Sequence, residues 1–164
     1  MGKYFGTDGF RGKAGEGLTA DHAYQIGRFL GWYFGRTHRA QIVVGNSVEL
    51  KNVILFDNVQ TPHYNYVGDS ILGYKSHMGA GSITSNVKSD KTLVVIKNGE
   101  EKIETGRKKM GAILGDFVEV GCNSVLNPGT ILGHRSSVYP TSCVRGTVEA
   151  DHIYKDKDHI IPRT

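Results

Sequence analysis

A period of six residues runs from Val48 to Val144 and leaves few folds open to the chain. Reading every sixth residue gives Val48, Ile54, Gln60, Tyr66, Leu72, Met78 and Thr84, and after an interruption Leu114, Val120, Leu126, Leu132, Val138 and Val144. Ten of these thirteen are Val, Ile, Leu or Met, against about a quarter of the whole chain, so chance does not explain the pattern. Two further registers agree with it. Gly follows the aliphatic at 73, 79, 115, 121 and 133, and a small hydroxyl residue comes four after it in Ser70, Ser76, Ser82, Ser124, Thr130, Ser136 and Ser142, with Val118 the exception. The pattern predicts a mainly β chain wound as a parallel β-helix with three flat faces. The aliphatic fills the axis, the small residue packs beside it, and Gly is read as easing the backbone round the corner.

The period breaks from Ser85 to about Ile113. Leu93 to Ile96, Asn98-Gly99 and Lys102 to Glu104 read as a hairpin, because Asn-Gly supplies the positive φ angles of a two-residue turn. This hairpin is expected to project from the coil as a long loop. Past Ala150 the sequence is charged and aperiodic, and residues 151–164 are expected to pack loosely on the outside or fray.

Residues 1–45 follow another pattern: a short strand near Lys3 to Phe5, a Gly-rich turn, a helix and a strand over Gln41 to Val44. Thr19 is placed to cap the helix, and Ala23, Ile26, Phe29, Leu30, Tyr33 and Phe34 recur at spacings of three and four as one apolar face. Gly35 ends it. The chain therefore divides into a β-α-β appendage over 1–45, a β-helix over 46–150 with a loop insertion at 85–113, and a tail.

Composition narrows the partners. A formal charge of +4 is a mild basic excess, and the densest cluster, Arg107, Lys108 and Lys109, is only three residues long and not interleaved with aromatics. Nucleic acid is therefore not expected as a partner, while anionic metabolites are. No apolar run is long enough to cross a bilayer, so no membrane partner is expected. Cys122 and Cys143 lack the paired spacing of a zinc site, so no metal is expected, and the first residues do not read as a charged leader with an apolar core, so no secretory leader is expected. A reducing cytoplasm fits these features.

Several stretches carry a family resemblance: Gly45-Asn46-Ser47-Val48-Glu49-Leu50-Lys51-Asn52, Pro62-His63-Tyr64-Asn65-Tyr66-Val67-Gly68-Asp69, Met78-Gly79-Ala80-Gly81-Ser82-Ile83-Thr84-Ser85-Asn86 and Thr105-Gly106-Arg107-Lys108-Lys109-Met110-Gly111-Ala112. Over roughly Gly45 to Lys155 the chain resembles the C-terminal left-handed β-helix domain of bifunctional sugar-1-phosphate nucleotidylyltransferase/acetyltransferases, which make UDP-N-acetylglucosamine. Gly2-Lys3-Tyr4-Phe5-Gly6-Thr7-Asp8-Gly9-Phe10-Arg11-Gly12 and the helix after it resemble the opening of phosphoglucosamine mutase. The mutase's phosphoserine and magnesium loops and the nucleotidylyltransferase's Gly-rich signature are absent from these residues, so neither mutase nor uridylyl transfer is expected.

The first resemblance implies an acetyl-CoA-dependent N-acetyltransferase acting on glucosamine-1-phosphate or a similar amino-sugar phosphate. It implies a left-handed coil and a homotrimer with sites between neighbouring subunits. Stacked coils with exposed flat faces favour such assembly on their own account. By the same resemblance His63 is the base, Ala80 gives its N–H to the thioester carbonyl, and Asn86 lies at the acetyl group. Lys51, Tyr66, His77 and Lys91 fall at sugar-phosphate positions, and Cys122, Pro140 and Arg145 at coenzyme positions. An imidazole suits the base because it can accept a proton near neutral pH. His77 replaces a family asparagine, and Tyr33 stands where the family has its first phosphate-binding arginine, leaving Arg36, Arg39 or another subunit to supply that contact. A second reading stays open: a catalytically inactive trimerisation or scaffold β-helix, which would bind neither acetyl-CoA nor the sugar phosphate.

Overall fold

The computed structural model describes residues 41–163 together with two short strands, Phe5–Gly6 and Gly9–Phe10. The expected helix, with Tyr33, Arg36 and Arg39, lies outside the described residues. Phe5–Gly6 and Gly9–Phe10 pair antiparallel, Phe5 opposite Phe10. The chain divides into two units at Ala40/Gln41, so Ile42–Asn46 belongs to the β-helix and pairs with Val59–His63.

From Ile42 onward the chain winds through five coils, each giving one strand to each of three sheets. The first face is built from Ile42–Asn46, Val59–His63, His77–Met78, Glu119–Val120 and Ser137–Val138. The second holds Glu49–Lys51, Tyr66–Gly68, Ile83–Thr84, Val125–Leu126 and Cys143–Val144. The third holds Ile54–Leu55, Ile71–Leu72, Ala112–Leu114, Thr130–Leu132 and Thr147–Val148. Coil pairs with coil in parallel, and the inward side chains form one column per face. Met78, Val120, Val138 and Tyr154 stack on the first, Val67, Thr84, Leu126 and Val144 on the second, and Leu72, Leu114, Leu132 and Val148 on the third. All are buried, their apolar members form a single hydrophobic cluster, and their removal from water drives the stacking.

Two of the three corners keep the six-residue stride. Thr61 to Val67, Met78 to Thr84, Val120 to Leu126 and Val138 to Val144 each span six at the corner between the first and second faces. Leu55 to Thr61, Leu72 to Met78, Leu114 to Val120 and Leu132 to Val138 do so between the third and first. The corner between the second and third faces takes every irregularity: five residues from Leu50 to Leu55 and from Val67 to Leu72, the long loop between Thr84 and Leu114, and four from Val144 to Val148.

This corrects the register of the first coils. With five-residue corners, a fixed stride of six drifts by one at each, and a one-residue slip turns an inward side chain outward. Ile54 is 57% exposed, Gln60 is exposed, and Tyr66 and Val48 are half-buried. The axis is lined instead by Leu50, Leu55, Thr61 and Val67.

The glycines also act differently from expectation. The positive φ angles fall two residues beyond them, at Lys75, Gly81, Phe117, Asn123 and Arg135, and at Thr141 in the equivalent place of the last coil. That conformation turns the corner amide along the axis, where it bonds the coil before it: Asn123 to the Ala80 carbonyl at 2.9 Å and Thr141 to Cys122 at 2.8 Å. Gly121 is needed for space, since a Cβ there would lie 2.4 Å from the Pro140 nitrogen of the next coil.

The loop closes at its base through a Val87–Lys109 bridge and a bond from Met110 N–H to the Asn86 carbonyl. Its hairpin pairs Val95–Asn98 with Glu101–Glu104, so the turn residues are Gly99-Glu100, one position later than expected. It does not simply project. Val94 is fully buried, and Thr147 Oγ1 donates to the Lys97 carbonyl at 2.8 Å, which ties the hairpin to the last coil. The C-terminal segment is ordered, contrary to the expected loose tail. His152–Asp156 adds in parallel to the first face and His159–Pro162 returns antiparallel, because Tyr154 continues the inward column.

Candidate active site

The second face carries the cluster. Glu49, Tyr66 and Ile83 lie opposite one another on successive coils and, by strand alternation, point outward. Lys51 sits opposite Gly68, two residues along the strand from Glu49 and, by the same alternation, on the outward side. The Tyr66 ring folds along its own strand over Gly68, where an added Cβ would fall 2.5 Å from the phenol oxygen. That absence of a side chain lets the phenol reach the second corner, where Asn86 Nδ2 donates to it at 3.2 Å.

Asp69 organises this corner. Its carboxylate accepts Asn86 Nδ2 at 2.5 Å and Asn52 Nδ2 at 3.2 Å, so three coils are joined through one side chain. Burial pushes the Tyr66 phenol above its ordinary pKa, the Asn86 bond opposes this, and the Glu49 and Asp69 carboxylates reinforce it. The phenol therefore stays protonated through neutral pH, as a hydrogen-bonding group and not as a charge.

His63 lies at the first corner, exposed, at the end of its strand. Asn65, 2% exposed, holds this corner: its Oδ1 accepts the His63 N–H at 3.2 Å, and its Nδ2 donates to the Gly79 carbonyl at 2.8 Å and to the Ser82 carbonyl at 3.0 Å. The Gly81 N–H bonds the His63 carbonyl at 3.0 Å, so the Gly79-Ala80-Gly81 turn stacks on His63. The Ala80 N–H has no hydrogen-bond partner among the described residues and can serve a ligand oxygen. Cys122 and Pro140 continue the same edge through the two coils that follow.

Three candidates stand apart within this chain. His77 is on the first face, its Nδ1 2.8 Å from Glu119 Oε2. Lys91 is exposed in the loop, its N–H bonded to the Lys88 carbonyl, and Arg145 is exposed at the second corner of the last coil. Asp69 and Asn65 were not singled out from sequence. The only signal for Asn65 was an amide in a column otherwise filled by Ser82, Ser124 and Ser142, and for Asp69 a carboxylate at a corner that demands positive φ (47°).

The described coils form a three-sided parallel β-helix. The family model of phosphoglucomutase/phosphomannomutase, alpha/beta/alpha domain I, matches residues 2–59. The bifunctional protein GlmU of Methanococcus aeolicus is 36% identical over 121 residues, 74% of this chain and 29% of the relative. A bifunctional sugar-1-phosphate nucleotidylyltransferase/acetyltransferase of Sulfurisphaera tokodaii is 32% identical over 112 residues, 68% of this chain and 28% of the relative. Among solved structures, a hexapeptide-repeat acetyltransferase of Vibrio cholerae matches at 15% identity and a TM-score of 0.41, covering 91% of this chain and 84% of that one. The chain is thus a relative of the bifunctional GlmU-type proteins over about three quarters of its length, and it spans 28–29% of the length of these two curated relatives.

Proposed function

We propose that the protein is an acetyl-CoA-dependent N-acetyltransferase acting on glucosamine-1-phosphate or a similar amino-sugar phosphate, in UDP-N-acetylglucosamine synthesis. The observation that supports it best is the convergence of Lys51, Tyr66 and Asn86 on one face, beside a corner where the Gly79-Ala80-Gly81 turn stacks on His63 and leaves the Ala80 N–H without a partner among the described residues.

Transfer begins with the sugar amine losing a proton to the His63 imidazole and attacking the thioester carbon. The carbonyl oxygen gains charge as the tetrahedral intermediate forms, and the Ala80 N–H stabilises it. Collapse expels the thiolate of coenzyme A and leaves the N-acetyl sugar phosphate. Lys51 and the neutral Tyr66 phenol hold the phosphate and sugar. Cys122 and Pro140 extend from Ala80 along the edge the coenzyme would follow, with Arg145 toward its phosphates. His77 and Lys91, remote from this cluster in one chain, serve the acceptor across a subunit boundary, and the working form is a homotrimer.

His63→Ala is expected to lower thiol release from acetyl-CoA roughly 100- to 10,000-fold with the oligomeric state unchanged. Near wild-type turnover would remove His63 from the mechanism. Calorimetry separates this reading from an inert scaffold, which would take up neither acetyl-CoA nor glucosamine-1-phosphate.

A further inference from the structure

We infer that Asp69 is a positioning residue that locks Asn86 with its carbonyl oxygen turned away from Asp69 and Tyr66, making Asn86 a hydrogen-bond acceptor for a substrate N–H. This rests on the acetyltransferase reading but adds a residue and a direction of bonding to it.

A carboxylate can only accept. Asp69 Oδ2 lies 2.5 Å from the Asn86 side-chain nitrogen, so the amide must face it with its NH2. The same NH2 serves the Tyr66 hydroxyl at 3.2 Å, which occupies both donor directions. Asn86 Oδ1 then points away from both partners and takes no hydrogen bond among the described residues. Asn52 Nδ2 on the other carboxylate oxygen keeps Asp69 from rotating out of this role.

An oriented acceptor with no protein partner among the described residues, on a half-buried side chain, is open to a ligand that brings a donor. Two N–H sources exist in the proposed reaction: the acceptor amine and the amide groups of the thioester's pantetheine arm. The amine is the expected one, because it retains a second N–H after His63 takes the first proton. A hydroxyl nucleophile has only one hydrogen and would leave Oδ1 unpaired, so the same bond favours amine over alcohol acceptors.

Asp69→Asn tests this without disturbing the turn, since asparagine tolerates the positive φ at this corner. Amide NMR of the full chain is expected to show the Asn86 side-chain NH2 signals shifted and exchanging faster in the variant. Turnover is expected to fall about 10- to 100-fold, with KM rising for glucosamine-1-phosphate and not for acetyl-CoA. A rise for acetyl-CoA alone would support the lock and assign the N–H to the pantetheine arm. The swapped variant Asp69→Asn/Asn86→Asp restores a donor facing a carboxylate and leaves an oxygen free for the substrate, so it should recover at least tenfold of the loss, about the scale of a mispositioned group. Unchanged Asn86 signals in Asp69→Asn, or no recovery in the swap, would overturn the inference. If the wild type released no thiol with any acceptor, the acetyltransferase reading would fall, while the NMR arm would still decide whether Asp69 holds Asn86.

Discussion

The corners of the β-helix divide into two that repeat without variation and one whose length changes along the stack, and the candidate site lies on the face between one of each kind. At the first corner His63, Ala80, Cys122 and Pro140 recur at one edge because the stride never changes and each corner amide bonds the coil before it. At the corner between the second and third faces the stride is five twice, then a long loop, then six, then four, and here Asp69, Asn52 and Asn86 meet from three coils. At both corners the side chains that meet stand two residues beyond an inward one, as Asn52, Asp69 and Asn86 do after Leu50, Val67 and Thr84, so these contacts survive the change of stride. The proposed site draws on both: a constant edge for the base and the oxyanion donor, and a variable one for the acceptor-binding groups.

Perturbing the two kinds of corner should therefore give unequal results. Leu126→Ala removes a fully buried side chain between Thr84 and Val144 and is expected to cost about 2–5 kcal/mol in denaturant unfolding. Gly121→Ala, on the regular corner, drives a methyl into the Pro140 backbone and should cost about 1–3 kcal/mol, read as a lowered Tm. Gly106→Ala, in the loop of the irregular corner, meets nothing within 4 Å and suffers only its positive φ of 65°. Its cost should be about 1 kcal/mol. Equal losses at Gly121 and Gly106 would break the contrast.

The smallest effect concerns the C-terminal hairpin. Asp156 sits below the ordinary carboxylate range, first because the Asp158 N–H bonds it and then because His159 does. Its contribution is present above the unfolded carboxylate pKa and lost as pH falls through the lower folded value. Hydrogen exchange should therefore show the His159–Pro162 strand loosening under acid before the coils do.

Much of this fold could be read from residue spacing, and the failures have a common cause. The columns from Leu114 to Val144 were readable because Leu126 to Leu132 happens to span six. The coils before Leu72 were misread because a five-residue corner leaves no mark in a fixed stride. The glycines were visible, but a close backbone approach and a positive φ select the same residue type, and only coordinates separate them. At the site, His63, Lys51, Tyr66, Ala80 and Asn86 were reached through motif resemblance. Asp69 and Asn65 were missed because their roles depend on partners in other coils, such as Asn86 and Gly79. His77 was grouped with the cluster by motif spacing alone, and its Glu119 partner is 42 residues away in sequence.

Thiol release from acetyl-CoA, measured with a panel of amino-sugar phosphates and their hydroxyl counterparts, decides whether this β-helix transfers acetyl groups to amines. Coenzyme A should appear only with amine-bearing sugar phosphates, and the signal should vanish in His63→Ala. Absence of release with every acceptor, together with no uptake of acetyl-CoA by calorimetry, would contradict it and leave a structural scaffold in its place.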